Sequence, residues 1–126
     1  MKITRSAISL NVDDVRASAE FLEKHLGFVE EMSADGFCSL ARDDAGFNII
    51  YLRTGLETFK PQHAADSAGA GLLVVFVVDD IDDQYQRLVE EGATIVTPIE
   101  TEPWGERFFQ LQDPNGIVYQ LVQWLS

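Results

Sequence analysis

The run from Gly116 to Trp124, GIVYQLVQW, alternates like a half-buried strand and sets an uncharged amide, Gln120, at its centre. A carboxylate at such a point could ligate a metal. An amide there offers two donors and an acceptor, and is a poor substitute ligand. The other groups that could do chemistry are sparse. His25 falls on a helical stretch, where we read it as a partly exposed residue. His63 falls in a loop, where it is either solvated or brought to the mouth of a cleft by a folded-over linker. Cys38 has no histidine near it in sequence, so nothing there activates a thiol nucleophile.

Several motifs are excluded by what they lack. The segment DDIDDQ, from Asp79 to Gln84, is rich in carboxylates but has neither the glycine nor the later glutamate of a calcium loop. GAGLLV, from Gly69 to Val74, precedes a strand without the third glycine of a dinucleotide fingerprint. No Gly-x-Ser-x-Gly occurs. Tyr119 and Arg107 have the right types for acid–base or electrostatic roles, with equally good structural explanations. Asn48 and Glu106 stand close to the region of interest in a register that alternation does not settle.

Charge narrows the partners. Nine basic against 21 acidic residues give a formal net charge of −12 over 126 residues. The few Lys and Arg are scattered, so neither nucleic acid nor an anionic membrane is an expected partner. An acidic field attracts cationic partners, and it also serves solubility alone. No apolar run approaches membrane-spanning length, and one cysteine permits no internal disulfide, so the expected location is the cytoplasm.

The elements that must position these residues are written twice. ISLNVDDVRASAEFLEKHLGF and VVFVVDDIDDQYQRLVEEGAT each run from an apolar strand through Val-Asp-Asp into a helix and a glycine. Asp13-Asp14 and Asp79-Asp80 stand where helix N-caps belong, and Gly27 and Gly92 where left-handed stops are expected. Val15, Leu22 and Leu26 form one apolar stripe; Ile81, Tyr85, Leu88 and Val89 form the other. Three strands follow each glycine, at about 28–32, 36–41 and 47–53, then 94–99, 107–112 and 117–125. The turns RDDAGF and QDPNGI correspond, with Gly46 and Gly116 where positive φ is expected. The fold class is therefore α+β, one domain over residues 1–126 built of two βαβββ modules at about 1–54 and 71–126. A linker at about 55–70 joins them.

A four-stranded sheet covered by one helix leaves its other face open. Alternation puts Ile8, Leu10 and Val12 under the first helix, and Ser9 and Asn11 with Ala7 on the open face. Pairing FCSL with FFQL adds Phe37, Ser39, Phe108 and Gln110 to the open faces, with Leu73, Val75, Val77 and Gln120 from the second module. Such a lining of aromatic, aliphatic and small polar groups suits a small-molecule cleft, and a plain core between sheets is the alternative; the polar members Ser9, Asn11, Ser39, Gln110 and Gln120 favour the cleft.

The duplicated pattern, with DDVRASAEFLEKHLGF and the terminal DPNGIVYQLVQ, resembles the vicinal oxygen chelate superfamily, which includes glyoxalase I, extradiol dioxygenases and bleomycin-resistance proteins. The resemblance implies a glyoxalase-like fold with a cleft between curved mixed sheets. Metal-dependent members carry ligands at positions that are here Ala7, Ile50, Leu73 and Gln120, so no metal or other cofactor is expected. EPWGERFFQLQDPNG and GFCSLARDD are most similar to the bleomycin-resistance branch, whose members are acidic dimers that sequester a cationic drug. That implies a homodimer binding a planar or cationic molecule, with Phe37 and Trp104 stacking on it. Trp104 as a mere loop anchor, and an enzyme of the same superfamily acting on a small metabolite, are the alternatives.

Overall fold

The computed structural model describes residues 1–68 and 70–125, and the chain divides into two compact units, Met1–Ala70 and Gly71–Ser126. The first unit runs β1 (Ala7–Val12), α1 (Val15–Leu26), β2 (Val29–Ala34), β3 (Phe37–Ala41) and β4 (Asn48–Arg53). Its sheet has the order β1-β4-β3-β2, with β1 and β4 parallel and the other pairs antiparallel. The second unit repeats the plan with β5 (Val74–Val77), α2 (Ile81–Glu90), β6 (Thr94–Thr101), β7 (Glu106–Gln112) and β8 (Val118–Trp124), ordered β5-β8-β7-β6. This is the tandem βαβββ architecture expected, with mixed sheets and an α+β class.

α1 begins where Asp14 Oδ1 accepts the Ala17 amide at 3.1 Å, and it stops at Gly27, whose φ of 69° only glycine adopts freely. α1 packs on β3 and β4, and Leu22 and Leu26 of the helix are buried with Leu10, Val12, Leu40, Ile49 and Tyr51 of the sheet. Each such side chain contributes about 1.5–3 kcal/mol by leaving water. In the second unit Ile81 and Leu88 cover Phe109, Leu111, Tyr119 and Leu121, and the Tyr85 ring meets Phe109 edge-on at 4.9 Å.

Four local expectations are corrected. His25 is buried, edge-on to Phe21 at 5.1 Å, because the two lie one helical turn apart on the face turned to the sheet. Asp80 does not cap α2 with its side chain; Gln123 Oε1 accepts the Ile81 amide at 3.1 Å instead, and Asp80 Oδ2 accepts from Gln84. Val89 lies outside the stripe and is exposed, since α2 buries only a narrow line along Ile81 and Leu88. Gly116 has a φ of 88°, as expected, but Gly46 does not take positive φ: its turn closes with the Ala45 amide on Arg42 O.

The segment expected to be a linker is tied to the first unit. The Gly55 amide donates to Ala65 O at 2.7 Å, and the Ala68 amide donates to Asn11 O at 2.9 Å. Gly69, counted in that linker, lies outside the described residues. Among the described residues no helix is long and apolar enough to cross a membrane.

Candidate functional site

Both sheets present one face to their helix and one away from it, and the strand registers settle which residues lie on the second. In the first unit Ala7, Ser9 and Asn11 pair with Asn48, Ile50 and Leu52, while Phe37 and Ser39 pair with Leu52 and Ile50. Side chains opposite one another share a face. Ser9, Asn11, Phe37 and Ser39 therefore stand together on the open face, as expected. Cys38 and Leu40, which alternate with Phe37 and Ser39 along β3, are buried on the helix side.

Asn11 is not free to meet a ligand. Its Nδ2 donates to Ala64 O and Asp66 O, both at 2.9 Å, so the segment 64–68 covers it and leaves it 7% exposed. Asn11 Oδ1 is buried there with no partner among the described residues. His63 sits beside this strap in a short 3-10 turn, Gln62–Ala64, and is exposed. At the other end of the face a hollow of about 280 Å³ is bounded by Arg5, Ala7, Glu31, Phe37, Ser39 and Asn48. Glu31 holds it together: Arg5 Nη2 donates to both its oxygens at 2.9 and 3.0 Å, and Asn48 Nδ2 donates at 2.9 Å. Alternation does not find Glu31, because a β-bulge between Glu30 and Met32 re-aims it.

In the second unit Gln110 pairs with Gln120 and Phe108 with Val122, on the face shared with Val75 and Val77. Here the polar groups form a connected chain. Thr97 Oγ1 donates to Gln110 Oε1 at 2.7 Å, and Gln110 Nε2 donates to Gln120 Oε1 at 2.9 Å. Gln120 Nε2 then donates to Glu106 Oε1 at 3.3 Å, and the Trp104 indole N–H donates to Glu106 Oε2 at 3.0 Å. Four of the expected site residues, Trp104, Phe108, Gln110 and Gln120, thus lie in one unit, three of them in one network. Thr97 and Glu106 complete it. The signal for Glu106 was its place two residues after Trp104 at the start of β7, which requires the observed register to interpret.

Trp104 is 66% exposed, yet its loop is held firmly. Gly105 has a φ of 92°, its amide donates to Glu102 O, and its carbonyl accepts the Leu125 amide at 2.7 Å. A side chain at Gly105 would meet Leu125 O at 2.6 Å, so both the conformation and the close approach demand glycine.

The metal-ligand positions of the resemblance fail a test of fit. Ala7, Ile50 and Leu73 carry no donor atom, and the Gln120 amide is engaged on both ends. Among the described residues no three His, Cys, Asp or Glu side chains gather as a metal site would need.

The remaining candidates are structural. Burial, then the hydrogen bond and charge of Glu30, push the Cys38 thiol up to about 11, which keeps it protonated and inert. Glu30 itself is held below the usual carboxylate range, first by Arg16 and then by the Cys38 and Ser33 hydrogen bonds. Arg107 is committed to Asp82 at 2.6 Å and to Thr101 at 2.7 Å, and that pairing lowers the Asp82 pKa. Tyr119 is fully buried under α2.

Comparison with known proteins agrees with this geometry. The family model described as Glyoxalase/Bleomycin resistance protein/Dioxygenase superfamily matches residues 4–121. A protein of Mycobacterium bovis, described as uncharacterized, is 27% identical, covering 90% of this chain and 79% of its own. A glyoxalase/bleomycin resistance protein/dioxygenase from Nocardioides superposes with a TM-score of 0.82 at 24% identity, covering 100% of this chain and 86% of that one. A lactoylglutathione lyase from Agrobacterium tumefaciens superposes with a TM-score of 0.76 at 14% identity, covering 97% and 94%. At such identities the two solved structures speak for the fold alone.

Proposed function

The chain belongs to the glyoxalase/bleomycin resistance protein/dioxygenase superfamily, and within it we propose a protein that binds a planar, cationic small molecule without a metal ion and without altering it. The observation that carries this reading is Trp104, an exposed indole fixed in place by Glu106 and by the Gly105 turn. A large aromatic surface kept in water by a rigid loop is a stacking platform, and offset stacking adds about 0.5–1.5 kcal/mol per ring pair beyond area burial. The net charge of −12 raises the local concentration of cations around it. Phe37, half-buried on the open face of the first unit's own sheet, is a further ring that the resemblance to the bleomycin-resistance branch implies for stacking.

Sequestration of a cationic antibiotic, in the manner of the bleomycin-resistance branch, is the most concrete form of the proposal. A homodimer is part of it: Val75 and Val77 leave 41% and 66% of their surfaces in water on an open sheet face, and a second copy of the chain would cover them. A cytoplasmic setting suits a chain whose one thiol is buried and free.

The test is a fluorescence titration of bleomycin-type, mitomycin-type and other planar cations into a Trp124→Phe host, with light scattering on the same sample. Scattering should give twice the 14.1 kDa chain mass. Affinity should fall with salt, as the screening length drops from roughly 10 Å at 0.1 M to roughly 3 Å at 1 M. Trp104→Ala should lose most of the affinity at every salt concentration, and Phe37→Ala part of it. Equal binding by Trp104→Ala would refute the platform, and a stoichiometric divalent metal in protein prepared without chelator would refute metal independence.

A further inference from the structure

We infer that Glu106 is the specificity-determining group of this site, and that it selects planar cations carrying N–H donors on the ring edge. The inference rests on the reading of Trp104 as a stacking platform. A carboxylate offers about four lone-pair positions. Two on Glu106 are filled, by the Trp104 indole at 3.0 Å and the Gln120 amide at 3.3 Å, and both donors are neutral. Among the described residues no Lys or Arg pairs with it. Its neighbour Arg107 is spent on Asp82 and Thr101.

Glu106 is thus a half-buried carboxylate with no ion-pair partner among the described residues, on a sheet face shared with Phe108 and Val122. Removing a carboxylate from water is costly unless a cation or strong donors compensate. The network around it is organised to hold a negative charge. Thr97 donates to Gln110, Gln110 to Gln120, and Gln120 to Glu106, so every donor in the series points towards the carboxylate. Turning either amide over would set oxygen against oxygen, so both orientations are locked.

The geometry also says where the ligand's donors must be. The indole N–H lies in the ring plane, so the carboxylate it meets stands beside the edge of the indole, not above its face. A ring stacked on that face brings its own periphery next to Glu106. An amino or amidinium N–H on that periphery reaches the free lone pairs, whereas a charge buried inside the ring system does not. A ligand with both features gains a charge-assisted hydrogen bond in addition to stacking.

Three acridine probes separate these contributions in the Trp124→Phe host. Proflavine is cationic with edge amino groups, N-methylacridinium is cationic without N–H donors, and N-methylacridone is neutral. In Glu106→Gln, proflavine affinity should fall roughly ten- to hundred-fold, the scale of one charged hydrogen bond. N-methylacridinium should lose only a few-fold, and N-methylacridone should be unchanged. Equal losses for all three probes would make Glu106 a mere prop for Trp104 and overturn the inference, as would equal losses for the two cations or an unaffected proflavine. If Trp104→Ala still binds proflavine as the parent does, or the parent binds none of the probes, the stacking reading falls and the inference with it. Glu106→Gln without effect, beside a Trp104→Ala that has lost binding, overturns the inference alone.

Discussion

Gln110 and Gln120 face each other as a registered pair on neighbouring strands, and their side-chain amides are joined by a hydrogen bond of 2.9 Å. Gln120 is only 7% exposed, so its partners in the protein replace water almost entirely. The amide is a structural link between the Gln110 side chain and the Glu106 carboxylate, at a position where the family resemblance implies a ligand in metal-dependent members.

Breaking that link should be visible as coupling. Gln120→Leu leaves the Gln110 donor without its acceptor and should cost about 1–3 kcal/mol in urea unfolding. Gln110→Leu should also destabilise, and the double variant should lose less than the sum, with an interaction of about 0.5–3 kcal/mol. Strict additivity would show that the pair is not coupled through this bond.

The loop bearing Trp104 should depend on one glycine. Gly105→Ala forces a φ of 92° on a residue with a Cβ and drives that atom against Leu125 O. We expect a loss of about 1–3 kcal/mol, with a shift in Trp104 emission in the Trp124→Phe host. Gly46→Ala is the control, since no atom lies within 4 Å of its added Cβ and its φ is not positive. It should be neutral or slightly stabilising, because alanine restricts the unfolded chain. Similar effects at both positions would contradict the account of the loop.

Cys38 gives a pH signature. Its folded pKa is raised from 9.0 to about 11, so the unfolded state releases its proton first as pH rises. The associated stability is fully present below pH 9 and is lost as pH climbs towards 11. Stability measured over that window should fall in the parent and fall less in Cys38→Ala, even though the variant starts lower because of the cavity it creates. The native thiol should also react far more slowly with a thiol reagent at pH 8 than the thiol of the urea-unfolded chain. Rapid native reaction would show that burial does not protect it.

Much of the architecture is legible in the chain itself. The repeated Val-Asp-Asp, the glycines after each helix and the alternation in every strand follow from local rules of capping and pleat, and they determine the two βαβββ modules and which residues share an open face. The same rules placed Phe37, Ser39, Ser9 and Asn11 on one sheet, and Phe108, Gln110 and Gln120 on the other. What local rules do not reach is contact between segments distant in sequence. Asn11 is covered by residues 64–68, a relation set by chain return over some 50 positions. Glu31 faces Asn48 because of a bulge, which shifts the alternation by one residue and is invisible to a period of two. Gln123 caps α2 in place of Asp80 because β8 ends beside the helix start. Glu106 joins the site because the register of β7 against β8 carries it within reach of both Trp104 and Gln120. Composition and periodicity decided the elements, and tertiary pairing alone decided which polar groups meet, since a hydrogen bond depends on ångström-scale positions that no local propensity encodes.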